Sequence, residues 1–327
     1  MPQKSAIYSA ARIRVQEKYL LNKGKLEKLS EATPSEALHL LTEFGYGEKS
    51  DSASCDSLLN GELKKARALV FELTSDETVT NVFLMKQDIH NLKVLIKQKL
   101  LKDASAPPLI DGGVFTPEAI SLMVRLWNFS ALPKQIIDCL AEVEFKLAEK
   151  PDPQMLSVTL DKAYAAYALS VKNDFVSEYF RAWIDFYNID AMFRLKRMGF
   201  GYDGFFYIPG GTIEIDALTS AYSAEPNALP LLLTATGASE KLMDAIKSAL
   251  TEYSENLSIA RFERDRDNYL IGIARERGKW DMESVAPVVS YLLAREQEVK
   301  CIRLVLTAKR NGLSKEIVAE RLRELYG

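Results

Sequence analysis

The stretch DIHNLKVLIK, residues 88–97, returns as DFYNIDAMFR at residues 185–194, an offset of 97 (185 less 88). The match sets Asp88 on Asp185, Asn91 on Asn188 and Leu92 on Ile189, and continues through Ile96 with Phe193 and Lys99 with Lys196. Two polar residues at i and i+3 on otherwise apolar helices are unusual enough that their recurrence is informative. A repeat missed at this point misassigns the whole fold.

Downstream, IDGGVFTPEAISLM (110–123) and IPGGTIEIDALTSA (208–221) set Gly112-Gly113 against Gly210-Gly211, so the offset drifts by one residue. A weaker third copy is EQEVKCIRLVLTAKRNGL (296–313), which aligns Glu298 with Asp185, Cys301 with Asn188 and Lys309 with Lys196, and has no Gly-Gly loop. The reading is an all-α chain of three similar helical modules, 1–111, 112–217 and 218–327, the outer copies incomplete or modified. Such modules suit a pseudo-threefold body, in which early helices between 6 and 44 supply what the third copy lacks.

Helical periodicity supports that class. Phe180, Trp183, Ile184, Tyr187, Ala191 and Leu195 lie on one face at the 3.6 period, and Leu160, Ala163, Tyr164, Tyr167, Ala168 and Val171 repeat the pattern just before it. Similar readings cover 6–22, 34–44, 61–74, 79–101, 117–127, 134–149, 238–269 and 284–310. Thr33-Pro34-Ser35-Glu36 and Thr116-Pro117-Glu118 carry helix-start signals, a hydroxyl cap followed by proline. The one strand candidate is 205–208.

Composition narrows the function. Over 327 residues, 42 basic residues stand against 45 acidic ones, a net charge of −3, so no global basic field favours nucleic acid or anionic lipid. Cys55, Cys139 and Cys301 are too far apart for a zinc knuckle or a redox pair and read as reduced thiols of a cytosolic protein. The N-terminus has no leader pattern, and the apolar run 228–238 is interrupted by Pro230 and too short to span a bilayer.

Each candidate for chemistry meets a plainer reading. Gly199, Gly201 and Gly204 have the GxGxxG spacing, but a dinucleotide site needs a strand before it and a helix after it, whereas here a helical run precedes and FFYIPGG follows. The corresponding loop of the first copy, KDASAPP (102–108), has no matching glycines. Gly45-Tyr-Gly47-Glu48-Lys49-Ser50 resembles a phosphate loop but places Glu48 before the lysine, which repels phosphate. His39 and His90 have no partner spacing for a metal. The repeated Asp/Asn pairs are positioned as general acids would be, but their recurrence favours architecture. The run 260–280 alternates charge, as a solvated face or a docking surface does. The expectation is therefore no catalytic, cofactor or metal residues, and a repeat signature made of Asp88, Asn91, Gly112, Gly113, Asp185, Asn188, Gly210, Gly211 and Glu298.

With DIHNLKVLIK, DFYNIDAMFRLK followed by IPGG, and the C-terminal EQEVKCIRLVLTAKRNGLSKEIVAERLRELYG in this order, the chain resembles the C subunit of prokaryotic V-type (A-type) ATPases, a relative of the vacuolar ATPase d subunit. Cys301, Ala308 and Asp190 depart from the residues frequent in that family. The resemblance implies a funnel-shaped, non-catalytic rotor adaptor on the cytoplasmic face of the membrane, peripheral through the rotor ring. Its implied partners are the central-shaft subunits (D and F type) and the membrane rotor ring subunits, with no nucleic acid, no cofactor and no membrane span of its own, and with a monomeric isolated chain. A free-standing helical-repeat scaffold for soluble partners is the alternative, and an enzyme using the glycine loop and the repeated aspartates is a third reading.

Overall fold

The computed structural model describes residues 5–47, 54–102, 108–149, 152–202, 204–225, 228–233, 239–256 and 258–326. Among these residues the chain is all-α, with no strand. The helices are α1 (Ala6–Glu17), α2 (Lys23–Glu31), α3 (Pro34–Glu43), α4 (Cys55–Leu73), α5 (Glu77–Leu101), α6 (Pro117–Leu126), α7 (Lys134–Glu149), α8 (Pro153–Ser170), α9 (Asp174–Met198), α10 (Ile215–Ser223), α11 (Leu229–Leu232), α12 (Glu240–Asn256), α13 (Ile259–Trp280), α14 (Ala286–Arg310) and α15 (Lys315–Arg321). Contacts divide the chain into two compact units, Glu77–Ala238 and the pair of segments Met1–Asp76 with Ser239–Gly327. This partition is one of compactness and does not test the modules 1–111, 112–217 and 218–327 expected from repetition along the chain.

The repeat helices α5, α9 and α14 are each 25 residues long. Their burial is not confined to one stripe. On α9, Asp185, Phe186, Asn188, Ile189, Met192 and Phe193 are buried along with Phe180 and Ile184, so the single apolar face read from 180–195 is too narrow. A helix covered on several sides needs apolar residues, or polar ones with partners, nearly all round.

In the unit Glu77–Ala238, α8 lies between α5 and α9. Lys93 meets Asp161 while the Tyr164 hydroxyl donates to the carbonyl of Val82, so α8 runs antiparallel to α5. Tyr164 also packs edge-on to Phe180 and Asp161 accepts from the Tyr187 hydroxyl, which makes α8 antiparallel to α9 as well. The centre is aromatic: Phe83 stacks on Phe175 at 5.4 Å and meets Tyr179 at 5.2 Å and Phe180 at 5.6 Å.

In the other unit, α14 is the axis on which α1, α2, α3, α4, α13 and α15 pack. Leu21, Leu29, Leu41, Leu59, Ile302 and Val305 form its core, all nearly inaccessible to water. The residues after α15 lie across α13 and α14: Glu324 N–H donates to Asn268, Gln297 donates to the Glu324 carbonyl and Arg275 pairs with Glu324.

Several sequence expectations change in detail. The helix read over 6–22 ends at Glu17, because Leu20 and Leu21 turn into the core and Asn22 caps a new helix by accepting from Lys25 N–H. The run 238–269 breaks at Ser258, whose hydroxyl caps α13 at Arg261 N–H. Residues 205–208 form no strand: Tyr207 N–H closes a turn on Gly204, and Ile208 pairs with a side chain. The caps at Thr33 and Thr116 are present, the first as a reciprocal box with Glu36.

A repeated joint between helix and loop

Asp88 and Asn91 sit on α5 with no exposed surface, and both face the loop that follows the helix. The Asn91 carboxamide donates to the Ile110 carbonyl at 2.8 Å and accepts from Ile110 N–H at 2.9 Å. Asp88 accepts from Val114 N–H at 2.7 Å and from Phe115 N–H at 3.3 Å. The loop is thereby stitched along its parent helix before turning into α6.

The second copy repeats this arrangement. Asn188 donates to the Ile208 carbonyl and accepts from Ile208 N–H, both at 2.8 Å. Asp185 accepts from Thr212 N–H at 2.8 Å, from Ile213 N–H at 3.0 Å and from the Thr212 hydroxyl at 2.6 Å. The glycine pairs have two separate duties. Gly112 and Gly210 take φ of +87° and +101°, a left-handed conformation that other residues rarely adopt. At Gly113 and Gly211 an added Cβ would stand 2.1 Å and 2.2 Å from a carboxylate oxygen of Asp88 and Asp185, so only glycine lets the backbone come that close.

The third joint has different parts. Glu298 on α14 accepts from Leu21 N–H, from the Tyr46 hydroxyl and from Arg295 Nη1, the last at 2.5 Å. The loop thus comes from the N-terminal segment, which turns into α2 as the earlier loops turn into α6 and α10. Cys301, in the asparagine position, donates its thiol to the Arg323 carbonyl at 3.5 Å. Burial opposes the charge on Arg295, but Glu298, Tyr291 and Tyr46 outweigh it and raise its pKa. Burial, reinforced by the neighbouring Glu298, pushes the Tyr46 hydroxyl up as well.

A lysine about two turns beyond the asparagine position completes each joint. Lys99 donates to the Val124 carbonyl at 3.0 Å and Lys196 to the Ala224 carbonyl at 2.5 Å, and Lys309 donates to the Ala32 carbonyl. These carbonyls lie at the C-terminal ends of α6, α10 and α2, where helix carbonyls lack partners and the dipole favours a cation. Aligning the copies pairs these three lysines, but their capping role is not legible there. Tyr46 and Leu21 carry no sequence signal, because the joint they complete draws on both ends of the chain, whereas Arg295 stands three residues before Glu298 on α14, a spacing at which opposite charges pair.

Chemically, the joints bind backbone rather than ligand. Burial raises the Asp88 carboxyl to about 7 against the opposing pull of its two amides. Asp185 is also raised, by burial, with Thr212, Ile213 and the charge of Arg181 opposing. Gly199 ends α9 in a left-handed conformation, its N–H returning to Leu195 and Lys196. The GxGxxG stretch therefore follows a helix C-terminus, whose carbonyls repel phosphate, the reverse of the end a dinucleotide needs. Asp203 of that stretch lies outside the described residues, as do 103–107 of the KDASAPP loop and Glu48-Lys49-Ser50. Gly45 and Tyr46 N–H groups close onto Thr42 and Leu41, again a helix end. His39 and His90 are exposed. Among the described residues no group of three or more His, Cys, Asp or Glu is placed to hold a metal.

The charged run 260–280 is more than a solvated face. Asp267 is buried and meets Arg266 at 2.9 Å, Arg323 at 3.2 Å and Lys300 at 3.4 Å. Burial works against its charge, yet Lys300, Arg266 and Arg323 together lower its pKa to about 2.

Fold and joints define an all-α repeat protein whose recurring polar residues serve its own backbone. Residues 9–321 match the family model described as ATP synthase (C/AC39) subunit, and the chain belongs to that family. It is 23% identical to the C subunit of the V-type sodium ATPase of Enterococcus hirae, over 96% of this chain and 97% of that one. It is 24% identical to the C subunit of the A-type ATP synthase of Thermococcus kodakarensis, over 97% and 90%, and 26% identical to that of Halobacterium salinarum, over 96% of both.

Proposed function

We propose that this chain is the central-stalk rotor adaptor of a V-type ATPase, coupling the rotating shaft of the soluble ATP-hydrolysing head to the membrane rotor ring for ion transport. The observation that carries the reading is the family match along nearly the whole chain. The joints support it: each repeat helix is locked to the loop and helix packed against it, the stiffness that torque transmission requires. Its role is non-catalytic, its partners are the D- and F-type shaft subunits and the ring subunits, and it associates with the membrane from the cytoplasmic face through the ring. Among the described residues no helix is long and apolar enough to cross a membrane, which accords with a peripheral position. We read the repeat signature as three modules with 1–111, 112–217 and 218–327 as their approximate extents.

The test is removal and return. Membranes stripped of this chain should retain ATP hydrolysis by the soluble head but lose ATP-driven ion transport, and adding back the purified chain should restore transport. Unchanged coupled transport in its absence would refute the proposal.

A further inference from the structure

Three equivalent carboxylates hold three equivalent backbone turns, but they are not equally supported. Glu298 has an arginine and a tyrosine hydroxyl beside its amide donor. Asp185 has the Thr212 hydroxyl in addition to two amides. Asp88, fully buried, has only the amides of Val114 and Phe115 among the described residues. The difference comes from two positions: the loop alignment sets Val114 where the second copy has Thr212, and on the helix Leu84 stands where the second copy has Arg181, whose charge also favours ionised Asp185.

The charged groups around Asp88 leave it without compensation. On its own helix, Lys93 pairs with Asp161 of α8 at 2.5 Å, Lys99 caps α6, and Lys86 and His90 are exposed. On α8, Lys162 lies over the Phe205 ring. In the loop, Asp111 accepts from Gly112 N–H, and on α6 Glu118 and Arg125 are exposed. None of them forms a hydrogen bond or ion pair with Asp88.

We propose that Asp88 is a proton-controlled latch: with its carboxyl protonated, the loop 110–116 and the start of α6 are held closed, and ionisation of the buried group loosens them. The sign follows from solvation. A carboxylate with two amide donors and no cation gains more from water in the opened loop than from the closed one, so the closed form binds the proton more tightly. Closure is therefore favoured at low pH and lost as pH rises through the closed-state pKa, near neutrality. The second joint, where the Thr212 hydroxyl and the charge of Arg181 both favour the ionised form, responds less.

Hydrogen exchange of the full chain at about pH 6 and about pH 8, corrected for intrinsic rates, tests this. Protection over 110–123 should fall by about three- to tenfold from the lower to the higher pH, and protection over 208–221 should change less. Val114→Thr, which supplies the missing hydroxyl, should flatten the response, Thr212→Val should enlarge it at 208–221 without matching 110–123, since Arg181 remains, and Asp88→Asn should abolish it at 110–123. Equal protection at both pH values, a rise in protection at the higher one, or an undiminished response in Val114→Thr would overturn the latch.

Discussion

At the scale of single residues, the joints separate glycines that are required from glycines that are incidental. An alanine at Gly113 or Gly211 would force its Cβ into a carboxylate oxygen held by buried backbone, so neither partner has room to retreat. Gly113→Ala should destabilise the chain by about 1–3 kcal/mol, as overpacking does. Gly201, the middle glycine of the GxGxxG spacing, has nothing within 4 Å of an added methyl, and Gly201→Ala should leave the denaturation midpoint unchanged. Urea unfolding of the two variants side by side decides the point. Asp267 gives a second residue-scale prediction, opposite in sign to that for Asp88. Its folded-state pKa lies below the ordinary 3.8, so its contribution is complete above that value and disappears as pH falls towards about 2. Asp267→Asn should lower stability at pH 7 while flattening the loss seen between about pH 4 and pH 2, measured by thermal unfolding across that range.

Among the elements, legibility follows the distance over which a residue finds its partner. Asp88, Asn91, Asp185 and Asn188 stand out because their partners lie within a single helix–loop unit, which the chain copies with nearly constant spacing. The third joint is not legible in the same way, since the Leu21 amide reaches Glu298 across 277 residues and no local pattern marks it. α2 escapes a periodicity reading because its nine residues contain only two buried apolar ones, Leu26 and Leu29, too few to show a period. The Ser258 break is hidden by apolar positions that continue on both sides of it. The lysine caps make the element-level prediction. Lys99→Met and Lys196→Met keep most of the apolar stem and remove the cation, leaving the carbonyls of Val124 and Ala224 without their donors. A hydrogen bond to a charged group contributes about 1.5–3 kcal/mol, reduced here by partial exposure. Amide exchange should accelerate in α6 for Lys99→Met and in α10 for Lys196→Met, each change confined to its own helix. Equal acceleration of both helices in either variant would mean that the lysines act through global stability instead.

For the whole molecule, the repeat and the chain order are out of phase. Leu21 completes a joint whose carboxylate is on α14, Lys309 caps the helix Lys23–Glu31, and Tyr46 reaches the same glutamate. The third joint is thus assembled from both ends of the sequence, and its continuity exists in space rather than along the chain. A circular permutant makes it continuous: residues 239–326, a flexible linker, then 5–233. The ends are close enough, because Tyr326 feels the charges of Glu17 and Arg14, and Arg14 also donates to the Gly278 and Lys279 carbonyls. From there to Ser5 is about nine residues of helix, about 14 Å at 1.5 Å per residue. About ten Gly/Ser residues, with a typical span of about 18 Å, bridge that distance without strain. Since loop closure depends only weakly on length, the permutant should unfold within about 1–2 kcal/mol of the parent and with the same cooperativity. If Leu21 and Lys309 contacts were incidental, deleting residues 5–32 from the permutant would cost no more than fraying of a terminus. The joint instead requires that this deletion leave Glu298 and Arg295 buried with fewer partners and expose Leu41, Leu59 and Ile302, so that the unit around α14 loses its cooperative transition while α5 to α10 keep theirs. Calorimetry of the two permutants resolves these outcomes.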